Sequence, residues 1–229
     1  MTSGRRLLAI DLGASGGKCF VGTFSADGFQ MEEIPRFDQG GVTFFLADRQ
    51  GTVTERTHWN DTAIYAEILK GLHAYRRQFG PHLDALGIDT WGADAQWISA
   101  DGESLGRLYG YRDHRLDGIV EELCRLIPPE KVYAITGIHF LPFNLSNQLL
   151  WFIRNRPELL KAAVKVLPVP TLLNYYLGGC TEVDSTWASI TQLMDARRAR
   201  WSPTMLRALK VPARLLPDIV APGTVIGAL

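Results

Sequence analysis

Leu7-Leu8-Ala9-Ile10-Asp11-Leu12-Gly13-Ala14-Ser15-Gly16-Gly17-Lys18-Cys19-Phe20-Val21-Gly22-Thr23-Phe24 is the stretch on which the fold turns. An apolar run, Leu7 to Leu12, ends in a carboxylate and three closely spaced glycines, and a second run, Cys19 to Phe24, leads out again. Two short strands joined by a tight turn account for this pattern. Asp27-Gly28 signals the next turn, and Phe29 to Phe37 supplies a third strand of an antiparallel meander. Residues 38–59 read as irregular, with Gly40-Gly41 and a short hairpin about Gln50-Gly51. Asn60 or Asp61 then caps a helix whose Ile64, Ile68, Leu69, Leu72 and Phe79 share one face, and Gly80-Pro81 stops it. Leu86 to Trp91 follows as a strand parallel to the first, because a helix has carried the chain back. Ala95 to Ser99 and Arg107 to Tyr111 flank a turn at Asp101-Gly102.

From Leu116 the pattern turns helical, over 117–127, 130–136, 145–154, 157–163, 171–177 and 203–209, with a strand at Val164 to Val169. The segment 211–229 holds Pro212, Pro217 and Pro222 without helical periodicity and is expected to be extended, a linker. A β-β-β-α-β opening followed by alternation predicts an α/β chain with a mixed sheet covered by helices.

Composition narrows the function classes. The 24 Lys+Arg and 24 Asp+Glu cancel, so there is no electrostatic basis for a nucleic-acid groove or an anionic membrane as partner. An apolar fraction of 46% excludes intrinsic disorder. No apolar run approaches the roughly 18–20 residues of a membrane helix, and Asp11 cuts short the stretch after Arg5-Arg6 that would otherwise resemble an export signal. Cys19, Cys124 and Cys180 are isolated, which is expected of reduced thiols in a cytoplasmic protein. The histidines at 58, 73, 82, 114 and 139 form no pair at helical ligand spacing, so no zinc site is expected.

The chemistry concentrates at Asp11 to Lys18. Glycines at 13, 16 and 17 permit positive φ angles and let N–H groups converge, and the Ser15 hydroxyl and Lys18 ammonium complete a cradle for phosphate. Asp11, at the strand end, is placed to hold Mg²⁺ directly or through water. This is not the P-loop of nucleotide triphosphatases, since Leu12 stands where that motif needs glycine and Cys19 replaces its Ser/Thr. Nor is it a dinucleotide fingerprint, because a strand follows rather than a helix. Residue chemistry alone leaves two outcomes open, a plain hairpin turn and a phosphate-binding one.

Asp11-Leu12-Gly13-Ala14-Ser15-Gly16-Gly17-Lys18 resembles the first phosphate motif of the FGGY family of carbohydrate kinases, within the actin-like ATPase superfamily. Gly87-Ile88-Asp89-Thr90-Trp91-Gly92 is similar to the sugar-site strand of its rhamnulose kinases. Further similarities follow in order: Tyr111-Arg112-Asp113, Thr136-Gly137-Ile138, Leu141-Pro142-Phe143-Asn144, Leu167-Pro168 with Leu172 to Leu177, and Glu182 with Ser189 to Leu193. The resemblance implies an RNase H-like, actin-like ATPase domain with a helical extension. It implies that Gly13, Ala14, Ser15, Gly16, Gly17 and Lys18 approach the phosphates of ATP, and that Asp11 positions Mg²⁺. It also implies that Gly92, Asp94, Tyr111, Arg112, Phe143 and Asn144 line a sugar site. In that family Ser and Arg are more usual where Gly16 and Lys18 stand. Ala93, Ala95-Gln96 and Leu145-Ser146-Asn147 depart from the rhamnulose-kinase pattern around the sugar, which leaves fuculose, xylulose and ribulose beside rhamnulose.

Phosphoryl transfer to a hydroxyl needs a carboxylate in line with the γ-phosphate. No Asp here, Asp89 and Asp113 included, matches the family's base motif, so the general base is expected beyond Leu229. The resemblance therefore implies that residues 1–229 are the amino-terminal, sugar-binding half of a kinase. It further implies that 211–229 lead to a missing carboxy-terminal nucleotide domain holding the base, and that the chain alone does not turn over. A homodimer is left open. Three other readings compete: a non-catalytic sugar-binding or regulatory protein of kinase-like fold, an RNase H-like nuclease using Asp11 and Asp89 as paired metal ligands, and one half of a split enzyme completed by another chain.

Overall fold

The computed structural model describes residues 4–47 and 50–228. They divide into two compact units, one formed by residues up to Gly41 with Asn60–Trp91, the other by Val42–Trp59 with Gly92 onward.

In the first unit, strands β1 (Arg5–Leu12), β2 (Gly16–Ser25) and β3 (Gly28–Asp38) form the expected antiparallel meander. The chain next forms β4 (Gly41–Ala47) and β5 (Val53–Trp59), then helix α1 (Asp61–Phe79) and strand β6 (Ala85–Thr90). β6 pairs parallel to β1, giving a mixed sheet of order β3-β2-β1-β6. Strand alternation sends Leu8, Ile10, Leu12, Cys19 and Val21 to the covered face, where Ile64, Ile68 and Tyr75 of α1 meet them. The helix comes so near that a Cβ at Gly71 would lie 2.7 Å from Cys19 Sγ. Asn60 accepts a hydrogen bond from the Ala63 amide and caps α1, and Gly80 at φ 88° ends it, as expected.

β4 and β5 belong to the second unit apart from Gly41, and they correct one expectation. Residues 38–59 are less irregular than expected: on either side of Gln50-Gly51, where a short hairpin was expected, β4 and β5 are seven-residue strands paired in a sheet of their own. Their Thr, Glu and Arg content hides the strand pattern, and the support is tertiary. The Arg107 guanidinium lies 4.6 Å over the Phe44 ring, and buried His58 lies between the rings of Phe44 and Tyr109. Arg107 to Tyr111 accordingly make no strand. The Leu108 carbonyl accepts from Trp59 and the Gly110 amide donates to Thr57, so this stretch borders β5 instead.

The rest of the second unit comprises strand β7 (Ala95–Ser99), helices α2 (Ile119–Leu126), α3 (Pro129–Thr136), α4 (Leu145–Asn155) and α5 (Pro157–Ala162), and strand β8 (Ala163–Pro168). There follow α6 (Val169–Gly178), β9 (Val183–Asp184), α7 (Ser185–Ile190), β10 (Met194–Asp195), β11 (Arg200–Trp201), α8 (Pro203–Leu209) and β12 (Ile219–Val220). β7 and β8 pair antiparallel, and Trp97 beneath them packs edge-on against Phe152 of α4, 4.8 Å between centroids. Leu116, Leu123, Leu149 and Leu215 close this core. Within 211–228, Val211, Leu215 and Leu216 are buried and β12 pairs parallel with β9, while Ala221 to Ala228 form no regular element. Leu229, the last residue of the expected linker and the point beyond which the base is expected, lies outside the described residues. Among the described residues no helix is long and apolar enough to cross a membrane.

Candidate functional site

In the first unit the glycine turn closes the β1–β2 hairpin at the carboxyl end of β1, where Gly13 N–H donates to the Gly16 carbonyl at 2.9 Å. Gln39 braces it from β3's end, its amide N–H donating to the Ser15 carbonyl and its side chain to the Gly13 carbonyl. The reason for glycine here differs from the expected one. Gly13, Gly16 and Gly17 do not adopt positive φ. Instead, a Cβ at Gly17 would lie 2.2 Å from Phe37 Cζ, and one at Gly16 would lie 2.8 Å from the Phe37 carbonyl. The Phe37 ring thus requires glycine at 17 and the Phe37 carbonyl requires it at 16, while Gly13 meets no such neighbour.

Register places the charged groups. Asp11 stands opposite Lys18 on β2 and opposite Asp89 on β6, so all three share the sheet face away from α1. Asp11 and Asp89 are exposed and Lys18 is half-buried. Among the described residues no three His, Cys, Asp or Glu side chains are grouped to hold a metal. Mg²⁺ needs only one or two carboxylates when phosphate and water complete its shell, and the exposed Asp11–Asp89 pair fits that demand.

The second unit holds the sugar-site candidates. Gly92, exposed within the β6–β7 connection, has Ile190 so close that a Cβ would lie 2.4 Å from its Cδ1. Asp94 is no solvated turn residue. It is fully buried at φ 71°, and its carboxylate accepts from Trp59 Nε1 at 2.7 Å, the Tyr111 amide at 3.1 Å and Gln148 Nε2 at 3.1 Å. Tyr111 and Phe143 are half-buried, their rings T-shaped at 5.6 Å, and the exposed Arg112 lies 5.0 Å over the Tyr111 ring. Asn144 starts α4, but its side chain serves the loops: Oδ1 accepts from Leu141 N at 2.7 Å and Nδ2 donates to the Ile190 carbonyl at 3.4 Å. The structure thus brings Asp94, Tyr111, Arg112, Phe143 and Asn144 into one connected set. Arg112 and its neighbour Asp113 have different partners. Asp113 is buried against Arg115, and Arg112 stacks on an aromatic ring.

Sequence reasoning missed Arg115 and Gln148, which lie at the centre. The Arg115 side chain, wholly buried, donates to the Gly110 carbonyl at 3.1 Å and to Gln148 Oε1 at 2.8 Å, and approaches Asp113 Oδ1 at 3.4 Å. Its Cζ lies 4.3 Å over the Tyr109 ring. Burial pulls its pKa below the ordinary arginine value, against the opposing pull of Asp94 and Asp113. Asp113 also accepts from the amides of Thr57 and Arg115, tying β5 to the turn that follows Tyr111. Burial likewise lowers the pKa of His58, against the charge of Asp113. No local signal marks Arg115 or Gln148, because, Asp113 apart, their side-chain hydrogen-bond partners lie 5 to 54 residues away.

The model of the FGGY family of carbohydrate kinases, N-terminal domain, matches residues 36–229. The rhamnulokinase of Pectobacterium carotovorum is 34% identical over 225 residues, spanning 97% of this chain and 43% of that protein. The rhamnulokinase of Bacteroides thetaiotaomicron is 34% identical over 98% of this chain and 44% of its own length. The chain thus spans less than half the length of these relatives. Among solved structures, ligand-bound xylulose kinase from Lactobacillus acidophilus superposes with TM-score 0.81 at 17% identity, over 98% of this chain and 44% of that one. Gluconate kinase from the same organism gives 0.82 at 18%, over 99% and 44%. The fold is accordingly that of these sugar kinases, a mixed α/β arrangement of the actin-like ATPase type. With its family model matched from residue 36 to the last, the chain belongs to the FGGY family of carbohydrate kinases.

Proposed function

We propose that this chain is the sugar-binding part of an ATP-dependent kinase that phosphorylates a hydroxyl of a ketose, L-rhamnulose first among the candidates. The observation that carries the phosphate half of this reading is the strand register that sets Asp11 between Lys18 and Asp89 beside the glycine turn. A cation and a carboxylate pair at that turn suit a magnesium-bound polyphosphate. Lys18 offers the phosphates a point charge, where an arginine would add a planar fork. The turn from Gly13 to Gly17, with no side chain beyond Ala14 and Ser15, leaves the backbone open to phosphate oxygens. Mg²⁺, when bound at Asp11 with Asp89, would neutralise charge on the transferring phosphoryl group.

The sugar half rests on the second unit and on the rhamnulokinase relatives. Ile190 fills the space a Gly92 side chain would take, so Gly92 offers the sugar its exposed backbone, while Tyr111 and Phe143 offer aromatic surface and Arg112 offers hydrogen-bond donors. Asn144 fixes the loop that carries Phe143. The general base and the remaining nucleotide contacts come from beyond Leu229, with 211–229 leading toward them. The kinase works in the cytoplasm.

A coupled ADP-release assay and calorimetric titration of the 229-residue chain with L-rhamnulose and with MgATP test this. The expected result is sugar binding without turnover. Ketose-dependent ADP release by the chain alone would refute the assignment of the base, and absence of sugar binding would refute the sugar assignment. The non-catalytic alternative predicts a sugar affinity indifferent to MgATP.

A further inference from the structure

Three aromatic residues far apart in sequence, Trp59, Tyr111 and Phe143, form a row, with centroid separations of 6.1 Å and 5.6 Å. Each is tied by a polar bond to one pair of side chains. The Trp59 indole N–H and the Tyr111 amide both donate to Asp94 Oδ2, at 2.7 and 3.1 Å. Gln148 Nε2 donates to the Phe143 carbonyl at 3.0 Å and to Asp94 Oδ1 at 3.1 Å. The orientation of the Gln148 amide is dictated by chemistry. Arg115 is only a donor, so the oxygen must face it and the NH₂ must face the two acceptors. Asp94 is 0% and Gln148 2% exposed, so solvent does not replace a lost bond. Asp94 holds a left-handed backbone, which a non-glycine residue keeps only where its surroundings over-determine it. Trp59 is buried at one end of the row, while Tyr111 and Phe143 are half-buried.

Resting on the sugar-binding reading above, we infer that Gln148 and Asp94 are positioning residues that hold Tyr111 and Phe143, backed by the buried Trp59, as one rigid aromatic surface for the C–H face of the sugar. Asp94 acts through the row and receives no sugar hydroxyl. The surface suits a sugar with an apolar face, a 6-deoxyketose ahead of a fully hydroxylated one, because C–H groups pack on ring faces where hydroxyls would lose their partners.

Gln148→Glu is the discriminating variant. It keeps the side-chain size and the Arg115 bond, but turns a carboxylate oxygen onto Asp94 and the Phe143 carbonyl, acceptor against acceptor. Trp59→Phe, which removes one donor and keeps a ring, supplies a second variant of low folding risk. In the 229-residue chain, the ¹⁵N–¹H signal and exchange rate of the Trp59 indole report the row, and calorimetry reports binding of L-rhamnulose and D-xylulose. The expected result for Gln148→Glu is a shifted, faster-exchanging indole and a loss of about tenfold or more in sugar affinity. Trp59→Phe is expected to lose affinity severalfold, in both variants more for L-rhamnulose than for D-xylulose. If Gln148 serves only to accept the hydrogen bond of Arg115, Gln148→Glu leaves both readouts in place, and the inference is overturned. An indole that moves without any change in affinity overturns it too. Wild-type chain that binds neither sugar overturns the function proposed above and the ligand assigned to the row, while the indole response still decides whether Gln148 holds it.

Discussion

The two units handle charge in opposite ways. In the first, Asp11, Lys18 and Asp89 stand on one face of the four-stranded sheet, and both carboxylates are exposed. Water solvates them, so they contribute little to stability and are available to a ligand. In the second unit Asp94, Asp113 and Arg115 are buried, two carboxylates about one guanidinium, and every one is hydrogen-bonded to main chain or to buried amides. Such groups are held only because these partners surround them. The difference separates chemistry offered to a substrate from chemistry consumed in shaping a surface, although both kinds of residue look alike in sequence.

The largest effect should come from Arg115→Ala, which strands two buried carboxylates. A stability loss of about 3–5 kcal/mol is expected in urea unfolding, and a loss below about 1 kcal/mol would break the contrast between the units. Next comes a pH effect inside the first unit's core. Burial pushes the Cys19 thiol from 9.0 up to about 11. Between those values the unfolded chain has released its proton and the folded chain has not, so stability present below pH 9 falls as pH rises to about 11. Urea midpoints taken about one unit below 9.0 and just short of 11 should therefore diverge more for wild type than for Cys19→Ala. Gly17→Ala should cost about 1–3 kcal/mol by forcing the Phe37 ring aside, and Phe37→Leu in the same chain should recover part of it. A loss unrelieved by Phe37→Leu would mean that backbone conformation, not the ring, requires glycine there. Asp11→Asn should move stability by no more than about 0.5 kcal/mol, while calorimetry shows weakened MgATP binding. A large stability loss would move Asp11 into the class of Asp94.

Much of the first unit was legible residue by residue. Leu8, Ile10 and Leu12 alternate with Leu7, Ala9 and Asp11, and that period is what a strand covered on one face requires. Asn60 before an apolar stripe and Gly80-Pro81 after it mark α1 because helix ends must satisfy their own N–H and C=O groups locally. The position of the β4–β5 hairpin was legible at Gln50-Gly51 but the length of its strands was not, since what supports them is Arg107 over Phe44 and His58 against Tyr109, contacts between segments far apart in the chain. The site divides in the same way. The glycine turn was visible as a motif, yet what requires Gly16 and Gly17, the Phe37 carbonyl and ring, lies on the next strand over. Asp94 and Asp113 were visible as carboxylates near a strand end, but nothing local told Asp113 to choose Arg115 over its neighbour Arg112.

By itself the sequence determined the strand and helix order of the first unit's sheet, the caps of α1, the parallel return of β6 to β1 and the kinship of the chain, because each depends on near neighbours or on anchors met in fixed order. Only the tertiary structure decided which charges are solvated and which are buried, and so which are free to meet a ligand. The reason is that desolvation and hydrogen-bond completion are properties of a three-dimensional environment: the carboxylates of Asp11 and Asp94 are chemically the same, and packing alone makes one exposed and the other a buried anchor for Trp59, Tyr111 and Gln148.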